Sequence, residues 1–200
     1  MKNRILQAVE DGIRAIEFLK QPVSLAFIEA ASLAIADCFR SGNKLLIAGN
    51  GGSMCDALHF AEELTAQFRG PRPALPAIAL SEQGFLTAVG NDMGFERIFS
   101  RGIEALGAKG DLFIALTTSG KSPNLIKAVQ MAKQKELGTI LFLGKTGGEL
   151  KGQGDLEWIV PGFTYSDRIQ EAHMTAIHII IEQVEAELFS PQKHHAHVSV

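Results

Sequence analysis

The chain reads as an α/β protein: a three-layer α/β/α sandwich around a five-stranded parallel sheet, preceded by two helices. Three observations predict this. Short, continuous apolar runs recur at 44–48, 76–80, 111–116, 139–143 and 156–160, the pattern of strands buried on both faces. Segments with apolar residues at three- and four-residue spacing lie between or after them, at 53–68, 83–106, 122–136 and 166–188. Strands alternating with helices imply right-handed crossovers, which bring the strands together in parallel.

Taken in order, Ile5, Val9, Ile13, Ile16 and Leu19 mark an amphipathic helix that ends near Pro22. Leu25, Ile28, Ala31, Ile35 and Phe39 repeat the pattern and stop before Ser41-Gly42. These N-terminal helices, 1–41, stand outside the strand–helix alternation and suit contacts between subunits. Lys44 to Ala48 is the first strand, followed by a glycine turn and the helix at 53–68. The remaining strands and helices follow the spacing above, and the last helix is the longest. With no internal repeat or linker, a single domain over 1–189 is expected. Residues 190–200, Ser-Pro-Gln-Lys-His-His-Ala-His-Val-Ser-Val, read as a flexible tail.

Composition narrows the class. At 46% hydrophobic and 20% charged residues, the 200-residue chain is globular in type. A net charge of -3 offers no general attraction to nucleic acid or to an anionic membrane. The longest apolar stretches are interrupted by Glu, His or Gly, so no bilayer span is expected, and the N-terminus lacks a signal-peptide core. Cys38 and Cys55 are too few for a disulfide framework, which fits a reducing cytoplasm.

Two loops carry the chemistry. Gly49-Asn50-Gly51-Gly52-Ser53 and Thr117-Thr118-Ser119-Gly120-Lys121-Ser122 each follow a strand and open a helix. Backbone N–H groups and hydroxyls there meet the positive end of a helix dipole, which suits a phosphate. In the first loop Ser53 stands where an N-cap belongs, with Asp56 three residues on. The second formally matches a relaxed Walker A pattern from Ala115 to Ser122. Ala115, however, lies within a strand run, and Ser122-Pro123 reads as an N-cap followed by proline at the first helical position. The turn is therefore sized for one phosphate monoester, with Thr117, Thr118, Ser119 and Ser122 supplying hydroxyls.

His59 and Glu63, four residues apart, share a helix face, and imidazole with carboxylate at that spacing is a two-point metal chelate or a surface pair. Gln170, Met174 and His178 form a stripe on the last helix, where His173 and His178 also fit as core histidines. Gln170 and His178 are separated by about 12 Å along the axis at ~1.5 Å per residue, so a site completed by a neighbouring subunit would ease their joint use.

Read together, Gly49 to Ser53, His59-Phe60-Ala61-Glu62-Glu63-Leu64-Thr65, Val89-Gly90-Asn91-Asp92, Thr118-Ser119-Gly120-x-Ser122 and Asp167-Arg168-Ile169-Gln170-Glu171 with His178 resemble the sedoheptulose 7-phosphate isomerases of the sugar isomerase (SIS) superfamily. The likeness runs in order to about Phe189. It implies a homotetramer with active sites between subunits and conversion of sedoheptulose 7-phosphate to D-glycero-D-manno-heptose 7-phosphate, toward heptoses of bacterial lipopolysaccharide. It also implies one zinc per subunit, bound by His59, Glu63, Gln170 and His178. Asn50, Gly51, Gly52, Ser53, Glu63, Asn91, Asp92, Thr117, Thr118, Ser119, Ser122 and Gln170 would contact substrate, and Asp167 would support them. Glu63 and His178 are the expected catalytic pair, one moving the carbon-bound proton and the other the oxygen proton. Met54, Gln67 and Lys121 depart from residues frequent at those places in relatives.

Rival readings use the same fold. A sister group of SIS tetramers docks the replication initiator and loses the carboxylate and second histidine that Glu63 and His178 retain here. An isomerase of a pentose phosphate, or a regulatory sugar-phosphate module, would need the loops as well, and the module would need neither Glu63 nor His178.

Overall fold

The computed structural model describes residues 1–189, so the tail expected at 190–200 lies outside the described residues. Two helices come first, α1 (Lys2–Glu17) and α2 (Pro22–Arg40), followed by β1 (Leu45–Gly49), α3 (Gly52–Thr65) and β2 (Ala77–Ala79). The chain continues through α4 (Gln83–Met93), α5 (Ile98–Leu106), β3 (Leu112–Leu116), α6 (Pro123–Gln134), β4 (Gly138–Gly144), β5 (Leu156–Val160) and α7 (Ser166–Phe189). The five strands pair in parallel in the order β2-β1-β3-β4-β5. The five-stranded parallel sheet and its flanking helices are as the alternation predicts.

Strand order reverses at β1, which pairs with β2 on one side and with β3 on the other. Crossovers leave such a point in opposite directions and open a crevice at the carboxyl ends of the strands, where ligands bind in open α/β sheets. The two phosphate-type loops follow β1 and β3 and border this crevice.

Successive strand residues face opposite sides, which gives two cores. On one side Leu45, Ile47, Ile114, Leu116, Ile140 and Phe142 pack with α2, α3 and α7. On the other Leu46, Ala48, Phe113, Ala115, Leu141 and Leu143 meet α5 and α6 through Phe99, Ile103, Leu125 and Val129. Complete burial of side chains of this size contributes about 1.5–3 kcal/mol each, so these layers set helix positions firmly. Trp158, fully buried, stacks on Phe27 at 5.7 Å and donates its indole N–H to Ser24 Oγ at 2.9 Å.

The helix expected at 83–106 is two helices. Gly94 takes φ +94° and ψ 147°, outside the helical region, so α4 ends at Met93 and a short turn leads into α5. Glu82 caps α4 by accepting hydrogen bonds from the N–H groups of Gly84 and Phe85.

α1 keeps its amphipathic pattern but buries only Ala15, while Ile5, Val9, Ile13 and Ile16 stay 46–55% exposed. α2 is long and apolar enough by composition to cross a membrane, with a mean hydropathy of 1.5 in its most apolar window. Its Phe27, Ile28, Ala31 and Ile35 nevertheless lie in the sheet core.

Candidate active site

The carboxyl ends of β1 and β3 feed a polar cavity of about 130 Å³, lined by Asn50, Ser53, Thr117, Thr118, Ser119, Ser122, Ser166 and Gln170, with Leu116 as its apolar member. Every hydroxyl predicted for the phosphate cradle is present, and Ser166 joins them. Ser166 opens α7 and faces Thr118 across 2.9 Å between hydroxyl oxygens. The sequence signal for it was a serine at a helix start, which by itself names no ligand.

Backbone conformation shapes the cradle. Gly120 has φ +63°, and a Cβ on it would fall 1.8 Å from the carbonyl oxygen of Gly147, so the second loop closes only with glycine there. Thr117 Oγ1 accepts from the N–H of Gly120 at 3.2 Å, folding the turn inward. Gly52 lies so near Gln170 that a Cβ would meet its Nε2 at 2.6 Å. The expected capping role of Ser53 is not adopted: Gly51 occupies the N-cap with no side-chain hydrogen bond, and Ser53 is buried in the first turn. Asp56 therefore closes no capping box. Its Oδ2 is buried without a partner among the described residues, and burial pushes its carboxyl up to about 6, opposed by nearby His59. Ser122 is the N-cap of α6 with Pro123 next, as predicted, and its hydroxyl makes no capping bond. Ala115 lies within β3, so the Walker A match is a coincidence of spelling.

Three side-chain pairs connect the three segments around the cavity. Asn50 and Asn124 exchange amide hydrogen bonds at 3.0 and 2.8 Å. Thr118 meets Ser166, and Gln170 Nε2 donates to Ser53 Oγ at 3.4 Å. Asn124, 1% exposed, is a member of the site that sequence reading missed, since one asparagine in a helix carries no signal.

Further along the same helices His59, Glu63 and His178 converge. The Nε2 atoms of His59 and His178 face each other at 3.0 Å, and His59 Nε2 lies 3.4 Å from Glu63 Oε1. One ligand atom from each of the three falls within 4.8 Å of the others. The side chain of Glu63 is 17% exposed and that of His59 38% exposed, so the group borders solvent without being immersed in it. Burial holds the His178 imidazole below its ordinary value, His59 adds to this, and Glu63 opposes it. Phe68 stacks on the His178 ring at 5.9 Å.

Arg72 fixes the spacing of this trio and was not legible in the sequence. Its guanidinium, 4% exposed, donates to the carbonyl oxygens of Glu63 at 2.7 Å and Leu64 at 2.9 Å, and pairs with Glu185 of α7. It thereby satisfies the Glu63 carbonyl and adds a second bond to that of Leu64, which the N–H of Leu75 also reaches at 3.1 Å, while tying the last turn of α3 to the helix that carries His178.

Other expected residues lie apart. Asn91 and Asp92 are exposed on α4 and hydrogen-bonded to each other at 2.7 Å. They line neither the polar cavity nor the histidine group. Asp167 is exposed in the first turn of α7 beside Arg168. Gln170 sits at the cradle, two helical turns from His178. Met54 is half-buried against the core, and Lys121 and Gln67 are exposed.

Residues 16–144 match the model of the SIS domain. The phosphoheptose isomerase of Vibrio cholerae is 51% identical over 172 residues, covering 86% of this chain and 90% of the relative. That of Fusobacterium nucleatum is 53% identical over 173 residues, covering 86% and 89%. The chain belongs to the phosphoheptose isomerase family of SIS-domain proteins. A solved phosphoheptose isomerase from Neisseria gonorrhoeae superposes with a TM-score of 0.85 at 33% identity, covering 92% of this chain and 98% of the other. Another from Francisella tularensis gives 0.86 at 35%, covering 91% and 96%. In this chain a polar cavity adjoins the first turns of α3 and α7, and the His59–Glu63–His178 group lies further along the same two helices.

Proposed function

We propose that this chain isomerises sedoheptulose 7-phosphate to D-glycero-D-manno-heptose 7-phosphate through an enediol, with Glu63 and His178 transferring the protons. The observation that carries the reading is the pairing of a hydroxyl-lined cradle with the His59–Glu63–His178 group along α3 and α7, in a chain that shares half its residues with phosphoheptose isomerases over the aligned length. Gln170 and His178 are eight residues apart, a rise of about 12 Å. An extended seven-carbon sugar places its C1–C2 end about 9 Å from its phosphorus, taking ~1.3 Å of advance per bond from carbon–carbon lengths of ~1.5 Å. The helix rise exceeds the sugar's span by about 3 Å.

In the forward direction Glu63 takes a proton from C1 of the ketose, the released electron pair forms the C1–C2 double bond, and the C2 carbonyl π pair moves onto O2, which is protonated in the enediol. The protonated Glu63 returns the proton to C2, while His178 carries the hydroxyl proton from O1 to O2, leaving an aldehyde at C1. A neutral imidazole both accepts and donates, and burial favours that form of His178. The cradle holds the phosphate and supplies orientation from binding energy remote from the reacting carbons.

Two imidazoles and a carboxylate meeting at one point form a donor set that suits zinc, so His59, Glu63 and His178 fit that ion. When bound, zinc would polarise the carbonyl and stabilise negative charge on the enediolate oxygens. The distance along α7 favours a second copy of the chain as the source of Gln170 as fourth ligand. Association of copies, to a tetramer, would also cover the exposed Ile5, Val9, Ile13 and Ile16 and bring Asn91 and Asp92 to a substrate. The place of action proposed is the cytoplasm, with the product directed to surface heptose such as that of lipopolysaccharide.

The test is NMR of the sugar products formed from sedoheptulose 7-phosphate by the wild type, Glu63→Gln and His178→Gln. Turnover is expected to fall at least about 10²-fold in each folded variant. Near-normal turnover in both would defeat the assignment.

A further inference from the structure

We propose that Asn124 is a positioning residue for the phosphate end of the site, acting through Asn50; the inference rests on the sugar-phosphate reading of the cradle. The ladder between β1 and β3 ends at the pair Gly49↔Leu116. Beyond it, among the described residues, no backbone hydrogen bond joins the loop at 50–53 to the loop at 117–122. The second loop is pinned on its other side, where the N–H of Leu150 donates to the carbonyl oxygen of Gly120 at 3.1 Å. The first loop is joined instead to the start of α6, which follows the second loop, by a reciprocal pair of amides, Asn50 Nδ2 to Asn124 Oδ1 at 3.0 Å and Asn124 Nδ2 to Asn50 Oδ1 at 2.8 Å.

Asn124 is built for this task. It is 1% exposed, and its Oδ1 also accepts from the N–H of Leu125 at 2.9 Å. Both lone-pair directions of that oxygen are thereby used, and the side chain has one arrangement in which its partners are satisfied. A buried amide deprived of a partner costs more than the bond contributes, so the pair acts as a latch. The N–H groups of Gly51 and Gly52 have no backbone partner among the described residues, and the two glycines stand between Asn50 and Ser53, which line the cavity that the phosphate would occupy. The Asn50 side chain in this reading holds the loop, and the loop's backbone meets the ligand.

The test compares the wild type with Asn124→Ala, Asn50→Ala and the double variant, reading kcat and KM for sedoheptulose 7-phosphate and Ki for inorganic phosphate. Each single variant is expected to raise KM and phosphate Ki together by about tenfold, with kcat within about twofold of the wild type. The double variant is expected to match the weaker single variant, because both substitutions open one latch. Effects that multiply, to about a hundredfold, would make Asn50 an independent ligand and overturn the proposal. So would a lowered melting temperature with KM and Ki unchanged. Should Asn124→Ala fail to fold, Asn124→Asp keeps the volume and the acceptor while losing the donor, and an unchanged phosphate Ki in it overturns the latch equally. A wild type that is thermally stabilised by inorganic phosphate yet inert on the heptulose would refute the reaction alone, and the latch would then be read from phosphate stabilisation in the same variants.

Discussion

Lowering the pH should loosen this fold through one buried imidazole. His173 is fully buried in α7 against Phe142 and Trp158, with ring centroids 5.6 and 5.8 Å away. Its Nε2 lies 3.0 Å from the carbonyl oxygen of Leu143 and donates to it, so Nδ1 is the unprotonated nitrogen, buried without a partner among the described residues. Protonation would place a charge and an unmatched N–H in an apolar layer. Burial lowers the group to about 4 from 6.5, and the bond to Leu143 offsets part of that. Above 6.5 both folded and unfolded chains are neutral at this residue and stability is flat. Between 6.5 and about 4 the unfolded chain binds the proton first, so stability falls as pH falls. At ~1.4 kcal/mol per tenfold difference in proton affinity, the loss is about 2 kcal/mol at pH 5 and levels off near ~3 kcal/mol below pH 4. Urea unfolding at pH 7.5 and pH 5, at one protein concentration, measures it in the wild type and in His173→Gln. The glutamine variant should be less stable at pH 7.5, having lost aromatic packing, and should have a pH response flatter by about 2 kcal/mol. Equal slopes in the two proteins would refute the reasoning.

Two further outcomes follow from the site and its surroundings. If His59, Glu63 and His178 hold zinc, equilibrium dialysis should return about one zinc per chain at pH 7.5, and His59→Ala should lose most of it. Retention of full zinc stoichiometry by that variant would place the ion elsewhere. If a second copy covers the α1 stripe, replacing Ile5, Val9 and Ile13 by Ser should shift sedimentation to a smaller species at micromolar concentration. Unchanged sedimentation would leave the stripe unrelated to assembly.

Period and loop chemistry exposed most of the fold and part of the site. The apolar runs located every strand because parallel strands must be apolar on both faces, and the glycine–serine turns announced where a ligand would sit. The break at Gly94 escaped, since Val89, Ile98 and Phe99 keep apolar periodicity on both sides of a residue whose φ is decided by the tertiary turn. Ser53 shows the converse: a serine before a helical pattern suggests an N-cap, but the N-cap is Gly51, two residues earlier. Asn124, Ser166 and Arg72 were invisible for a common reason. Each acts on a partner 48 or more residues away or on backbone carbonyls, and one sequence contains no trace of such pairings. His59 and Glu63 could be paired by helical spacing alone, whereas bringing His178 to them across 119 residues needed the fold.

Because α3 and α7 each run from the cradle to the histidines, the reach of the enzyme is counted in residues. Seven steps lead from Gly52 to His59 and eight from Gln170 to His178, on helices locked into one core. Adding or deleting a single residue in either stretch would turn the downstream side chains by about 100° and advance them by only ~1.5 Å, pointing them away from the sugar. Graded adjustment of this scaffold to shorter or longer sugars is therefore closed to small insertions in the helices. On the proposed reading, divergence toward other chain lengths would proceed through the loops assigned to the phosphate or through a second copy of the chain.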